Sequence, residues 1–156
     1  MDLALRYEEN GTAHDDVFLR FAGHTYACDS YYFALDRMVK PDEGSSAKVK
    51  AVVHKLLEQW LIAATNLPDG GEAFLPYDFS DQYTGWLSCQ RRGNEIDVSK
   101  GYALIEGWRL FPSVVGEYLS CLPGFCVNGP TIRLSREGLL QAIRDSLAEA
   151  SGRANI

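Results

Sequence analysis

The stretch from residue 46 to 64 constrains this chain more than any other. Val49, Val52, Val53, Leu56, Leu57, Trp60, Leu61 and Ala64 recur at steps of three and four. That spacing lays one wide apolar stripe along a helix of roughly five turns. Ser45 or Ser46 is placed to cap its N-terminus, and Asn66 and Pro68 to end it. Lys48, Lys50, Lys55 and Glu58 mostly fall off the stripe, and His54 falls at its boundary. Such a stripe needs an apolar surface to cover it, and the segments on either side have the periodicity of strands.

Before the helix, Leu3, Leu5 and Tyr7 alternate with polar or small residues, as do Val17, Leu19 and Phe21. Both patterns predict half-buried strands, with a third at 25–28. The loop between the first two carries Asn10-Gly11, His14, Asp15 and Asp16, and is long for a hairpin. Residues 29–40 are read as a short helix and 41–45 as a polar break. After the helix, 74–79, 83–91, 95–99 and 102–110 read as four strands. Arg92-Gly93-Asn94 and Lys100-Gly101 are the expected tight turns. Connections this short make an antiparallel meander, since parallel strands need long crossovers. Pro112-Ser113 is expected to open a short helix with Val114, Val115, Tyr118 and Leu119 on one face, broken by Pro123-Gly124. A last strand is expected at 131–134. Ser135 then caps a final helix whose Leu139, Leu140, Ile143 and Leu147 face inward, and the tail 151–156 is expected to fray. The predicted fold class is α+β: an antiparallel sheet of about five to seven strands with the long amphipathic helix packed on one face.

At 156 residues the chain is expected to form a single domain, 1–156, with a core that needs no metal or disulfide. A hydrophobic share of 46% against 23% charged residues excludes a largely disordered chain. No apolar run approaches the roughly 20 residues of a membrane helix, so no membrane association is expected. The N-terminal MDLALRYEEN lacks the apolar segment of a signal peptide, and a cytoplasmic location with reduced, mostly buried thiols is expected. Cys28, Cys89, Cys121 and Cys126 form no CxxC, and His14, His24 and His54 are scattered, so neither zinc nor another cofactor is expected. The net charge of −6 argues against non-specific nucleic-acid binding. The charge is uneven, net −5 over 1–43 and −4 over 68–108, which suits a negative face that steers a basic partner.

The most distinctive segment is LPYDFSDQYTGW, residues 75–86. Asp78 and Asp81 are candidate paired carboxylates, although turn chemistry accounts for them more simply. A Cys28–His24 thiol dyad and a buried Glu106 are further candidates, each with a simpler structural reading. No phosphate loop, nucleophile elbow or metal motif is present. A non-enzymatic function is therefore expected. The expected partner-binding residues are Asp69, Glu72, Tyr77, Asp78, Asp81 and Tyr83, with Asp15 and Asp16 as a second acidic group. Exposed carboxylates beside aromatic anchors are what an interface uses.

The helix ending in Leu56-Leu57-Glu58-Gln59-Trp60-Leu61, the LPYDFSDQYTGW segment and the junction Glu106-Gly107-Trp108…Pro112-Ser113 together resemble the small acidic immunity proteins of bacterial polymorphic and contact-dependent toxin systems. That resemblance implies a cytosolic, non-enzymatic binder that blocks a toxin domain, with a basic toxin as protein partner. Two other functions compete with it. One is a small enzyme or ligand-binding domain with a pocket between sheet and helix, lined by His24, Asp78 or Glu106. The other is a structural or oligomeric module.

Overall fold

Alternation in the first 28 residues builds a sheet of its own. In the structure, a computed structural model that describes residues 2–40 and 45–152, three strands pair antiparallel in the order β1-β2-β3. They are β1 (Leu3–Tyr7), β2 (Val17–Phe21) and β3 (His24–Cys28). Leu3, Leu5, Val17, Leu19, Phe21 and Cys28 are buried, as alternation requires. A single helical turn, α1 (Tyr31–Ala34), follows. Of the expected polar break, 41–44 lies outside the described residues, as does 153–156 of the expected frayed tail.

The long helix, α2 (Ser46–Thr65), is capped as expected: the Ser45 side chain accepts from the Lys48 amide at 3.3 Å. Val49, Val52, Val53, Leu56, Leu57, Trp60 and Ala64 are buried, while Leu61 is only partly so. His54 is a boundary residue that faces Glu58 at 3.4 Å. Lys48 departs from expectation. It is fully buried, and its ammonium donates to the carbonyl of Val39. The helix touches α1, β1 and β4 (Glu72–Phe79) and lies beside α3 (Arg136–Ala150), which in turn covers β1, β6 (Glu95–Ala103) and β7 (Cys126–Ser135). Ser135 caps α3 by accepting from the Gly138 amide at 2.9 Å.

The second sheet has the order β4-β5-β6-β7, all antiparallel, formed by β4 (Glu72–Phe79), β5 (Thr84–Arg92), β6 (Glu95–Ala103) and β7 (Cys126–Ser135). The fold is α+β, but its strands form sheets of three and four rather than one sheet of about five to seven. The chain makes both α1 and α2 between β3 and β4, so β3 comes against β4 without joining its ladder. The two sheets and the helices still share one hydrophobic cluster.

The expected turn at Lys100-Gly101 does not exist. The strands read at 95–99 and 102–110 are one strand, β6, which ends at Ala103. Gly101 serves packing instead: a Cβ there would lie 2.6 Å from Cε1 of Phe125. The register between β6 and β7 slips at the same place, between Ser99 and Gly101, and that between β4 and β5 slips between Pro76 and Asp78. Beyond β6 the chain folds over one face of the second sheet. Phe125 packs on Phe74 and Tyr118 on Trp86, at centroid distances of 5.5 and 6.3 Å. The helix expected after Pro112 is replaced by an isolated bridge between Phe111 and Val114 and a 3₁₀ turn at Gly116–Leu119. Gly116 enters that turn at φ +73°, a left-handed conformation that no helix interior accepts, and Val114 is exposed rather than on a buried face.

Candidate functional site

Four segments of the chain converge around a cleft of about 620 Å³. The β1–β2 loop supplies His14, the β3–α1 junction Asp29, α1 Tyr31 and Tyr32, the β4–β5 turn Ser80 and Asp81, and a 3₁₀ turn at Gly107–Arg109 Trp108. Phe79 lines it from the end of β4 and packs edge-on against Phe33 at 5.3 Å.

The β1–β2 loop is built to present His14. Ala13 and Asp15, on either side of it, have φ of 62° and 53°, a region uncommon for residues with a Cβ. Short hydrogen bonds hold that shape. The Asn10 side-chain amide donates to the His14 carbonyl at 2.8 Å, and the Thr12 amide donates to the Asn10 side-chain oxygen at 2.9 Å. Asp29 fastens the loop from the other side. One of its oxygens accepts from the Asp15 amide at 2.9 Å and the other lies 3.3 Å from Nδ1 of His14. The imidazole lies parallel to the Tyr31 ring, 6.4 Å between centroids, and Tyr31 meets Tyr32 edge to face at 5.1 Å. The Tyr32 hydroxyl donates to Asp81 at 2.5 Å, and this bond is the main reason its ionisation is pushed up to about 12.

Gly107 locks the far wall. Its amide donates to the Ser80 carbonyl at 2.6 Å, and a Cβ would lie 2.6 Å from that oxygen and 2.7 Å from the Phe79 carbonyl carbon. Only glycine allows the chain to come this close to the β4–β5 turn. The approach leaves the indole of Trp108 61% exposed above the cleft.

A smaller cleft, about 330 Å³, lies on the other side of the β4–β5 turn, with Tyr77, Asp78, Tyr83, Lys100 and Tyr102 among its walls. Both register slips aim side chains into this region. The Lys100 ammonium sits 4.5 Å from the centroid of Tyr26 and 6.0 Å from that of Tyr77. Burial pushes the Asp78 carboxyl above the usual carboxylate range, and the negative charge of Asp29 adds to the shift. A hydrogen bond from the Ser80 hydroxyl at 3.0 Å works in the opposite direction.

The residues expected to bind a partner do not form one group. Asp69 and Glu72 are exposed near the hairpin end of the sheet, where Asp69 accepts from the Gly93 amide at 2.8 Å and Glu72 from the Gln90 side chain at 2.8 Å. Asp78, Asp81 and Tyr83 lie at the other end of β4, roughly 23 Å away along an eight-residue strand at ~3.3 Å per residue. Asp78 and Asp81 are not paired, since they line different clefts. Burial removes Tyr77 and Asp16 from the surface. Tyr77 is the extra residue at the slip in β4, and Asp16 accepts from the amide and hydroxyl of Ser30 at 2.9 and 2.7 Å. Asp15 is exposed at the edge of the larger cleft. Of the expected residues, then, Asp81 with Asp15 marks the larger cleft, and reading the sequence missed His14, Asp29, Tyr31, Tyr32 and Trp108 as its partners. The available signal was aromatic residues in loop segments, next to Asp or Gly and outside any alternating pattern.

The catalytic candidates do not assemble. His24 is exposed at the far end of β3 from Cys28, whose thiol burial pushes up, away from the reactive thiolate. Glu106 pairs with Arg109 at 3.6 Å. The larger cleft does hold a His–Asp pair; of the hydroxyls on its walls, that of Ser80 donates to Asp78 and that of Tyr32 to Asp81. Among the described residues no group of three or more His, Cys, Asp and Glu is placed to hold a metal ion, and no helix is long and apolar enough to cross a membrane. Cys28 and Cys89 are buried free thiols, while Cys121 and Cys126 are exposed ones, against the expectation of mostly buried thiols. What lines the larger cleft is aromatic faces open to solvent, flanked by carboxylates. Scans against protein-family models, curated proteins and solved structures each returned no match to this chain.

Proposed function

We propose that this chain is a non-enzymatic protein-binding inhibitor whose contact face is the end of the molecule around the His14–Asp29–Asp81–Trp108 cleft. One observation carries the reading. Among the described residues, seven of the nine exposed large hydrophobics, Tyr31, Leu35, Met38, Tyr83, Leu104, Trp108 and Val114, lie on segments 31–38, 80–83 and 104–114. These segments are tied together by Tyr32 to Asp81, Gly107 to Ser80 and Asp36 to Ser113. Tyr31 and Trp108 line the larger cleft with Asp29 and Asp81, and Tyr83 and Leu104 line the smaller one, an arrangement that combines aromatic anchors with a charged rim. The charge favours a basic partner, such as a toxin domain that itself binds phosphate. This is the role of an immunity protein acting in the cytoplasm.

The test pairs capture with a growth assay. The wild-type chain, used as bait in its native host, is expected to retain a basic protein whose expression alone arrests growth and whose co-expression with this chain does not. The Tyr31→Ala/Trp108→Ala variant is expected to lose both capture and protection, while Glu72→Lys at the opposite end keeps them. Equal protection by both variants places the contact elsewhere, and a partner without toxicity removes the inhibitor role.

A further inference from the structure

We infer that the cleft between His14 and Trp108 is a recognition site for a guanidinium group, the side chain of an arginine on the bound protein. The inference rests on the inhibitor reading for the source of the arginine, but not for the chemistry of the cleft.

The walls select a cation. Asp29 and Asp81 line the cleft, Asp15 stands at its edge, and among the described residues no Lys or Arg lines it. Burial is the main cause that raises the Asp78 carboxyl and the Cys28 thiol nearby, and the charge of Asp29 adds to both shifts. Both lining carboxylates are already fastened by one flank, Asp29 by the Asp15 amide and His14, and Asp81 by the Tyr32 hydroxyl. Their positions therefore need little reorganisation on binding, and each carboxylate has about four lone-pair directions, more than these contacts use.

The aromatic groups narrow the choice of cation. Trp108 is 61% exposed and Tyr31 46%, both on walls of the cleft. An indole face is the strongest aromatic partner for a cation, and a planar guanidinium can stack on it while its edge donates to a carboxylate. A lysine ammonium is more strongly hydrated and cannot do both in one geometry. The volume of about 620 Å³ leaves room for the whole side chain.

Trp60 and Trp86 are fully buried, so a change in tryptophan emission on adding a small solute reports on Trp108. The probes are the tripeptides Gly-Arg-Gly, Gly-Lys-Gly and Gly-citrulline-Gly, titrated at constant ionic strength, with the imidazole and tyrosine ring resonances followed by NMR as a second readout. Citrulline keeps the shape of arginine and removes the charge. The arginine peptide is expected to saturate with a dissociation constant on the order of millimolar, at least about fivefold tighter than the lysine peptide and tighter still than citrulline. Asp81→Asn and Asp29→Asn are expected to weaken it at least about fivefold, and Glu72→Gln, at the far end of β4, to leave it unchanged. Arginine and citrulline peptides binding alike, or no saturable change in either readout, overturns the site. Arginine binding in a chain that captures no toxic protein leaves the site standing and removes the inhibitor function. A captured toxin with no arginine preference does the reverse.

Discussion

The indole Nε1 of Trp60 donates to the carbonyl oxygen of Pro76 at 2.9 Å, with the ring fully buried. Pro76 stands where the register between β4 and β5 slips, so the longest helix is fastened to the irregular point of the second sheet. The carbonyl is held by a helix side chain at the place where regular pairing is lost.

Trp60→Ala is therefore expected to cost about 3–5 kcal/mol, from lost burial, the cavity and an orphaned carbonyl, and Leu57→Ala about 2–5 kcal/mol. Trp60→Phe keeps most of the volume and loses the donor, and is expected to fall well below the alanine variant. Urea midpoints of the three variants order these losses. Midpoints equal to the parent for both alanine variants mean that α2 is not core.

Asp78 provides a pH-dependent test. Its folded pKa is raised mainly by burial, so the charged form is disfavoured in the folded state relative to the unfolded one. The contribution of this group is most favourable below its unfolded pKa and is lost as pH rises through the folded value. Asp78→Asn, which keeps an acceptor for Ser80, is expected to be more stable than the parent at neutral pH, with the gain shrinking toward acid. Denaturant melts at pH 7 and at about pH 3.5, below the ordinary carboxylate pKa, give the comparison. A gain that grows toward acid reverses the assigned sign.

Asp16 is a structural carboxylate rather than a surface one. Asp16→Ala leaves the Ser30 amide and hydroxyl without their acceptor at a buried position, and is expected to cost about 1.5–3 kcal/mol. Asp16→Asn keeps one acceptor and is expected to cost less. Thermal or urea unfolding distinguishes the two variants. If both match the parent, water replaces the carboxylate at no cost and the site is not sealed.

The thiols are expected to fall into two kinetic classes. Cys121 and Cys126 are exposed, whereas Cys28 and Cys89 are buried, and burial pushes the Cys89 thiol up to about 12. An aromatic disulfide reagent is expected to modify two thiols rapidly in the native protein and the other two only on unfolding. Four fast thiols mean that the core opens, and fewer than four in denaturant mean a bridge.

The readable parts of the fold were those with a regular period. Alternation in β1 and β2 and the stripe on α2 each state which side of an element is dry, and Ser45 and Ser135 cap helices where their sequence context places them. Lys100-Gly101 misled because glycine has two uses. The dipeptide looks like a turn, whereas Gly101 is small so that Phe125 can lie on the strand, a contact with a residue 24 positions further on. Lys48 misled for a related reason: a charged residue is expected in water, whereas here the ammonium is buried and donates to the Val39 carbonyl, which offsets part of the cost of burial.

By itself the sequence determined the α+β class, the antiparallel pairing, the long core helix and the acidic balance, because these follow from local period, connection length and composition. The tertiary structure alone decided how those acids are grouped. Asp69, Glu72, Asp78 and Asp81 are close in sequence, but a strand carries its two ends apart by ~3.3 Å per residue and separates them. His14, Asp29, Tyr32, Asp81 and Trp108 share no local pattern, and they meet because chain reversals after β1, β3 and β4 and the glycine contact at Gly107 bring four segments together. Periodicity records the direction each side chain takes from its own element, whereas a cleft is made by contacts between elements, which no local pattern encodes.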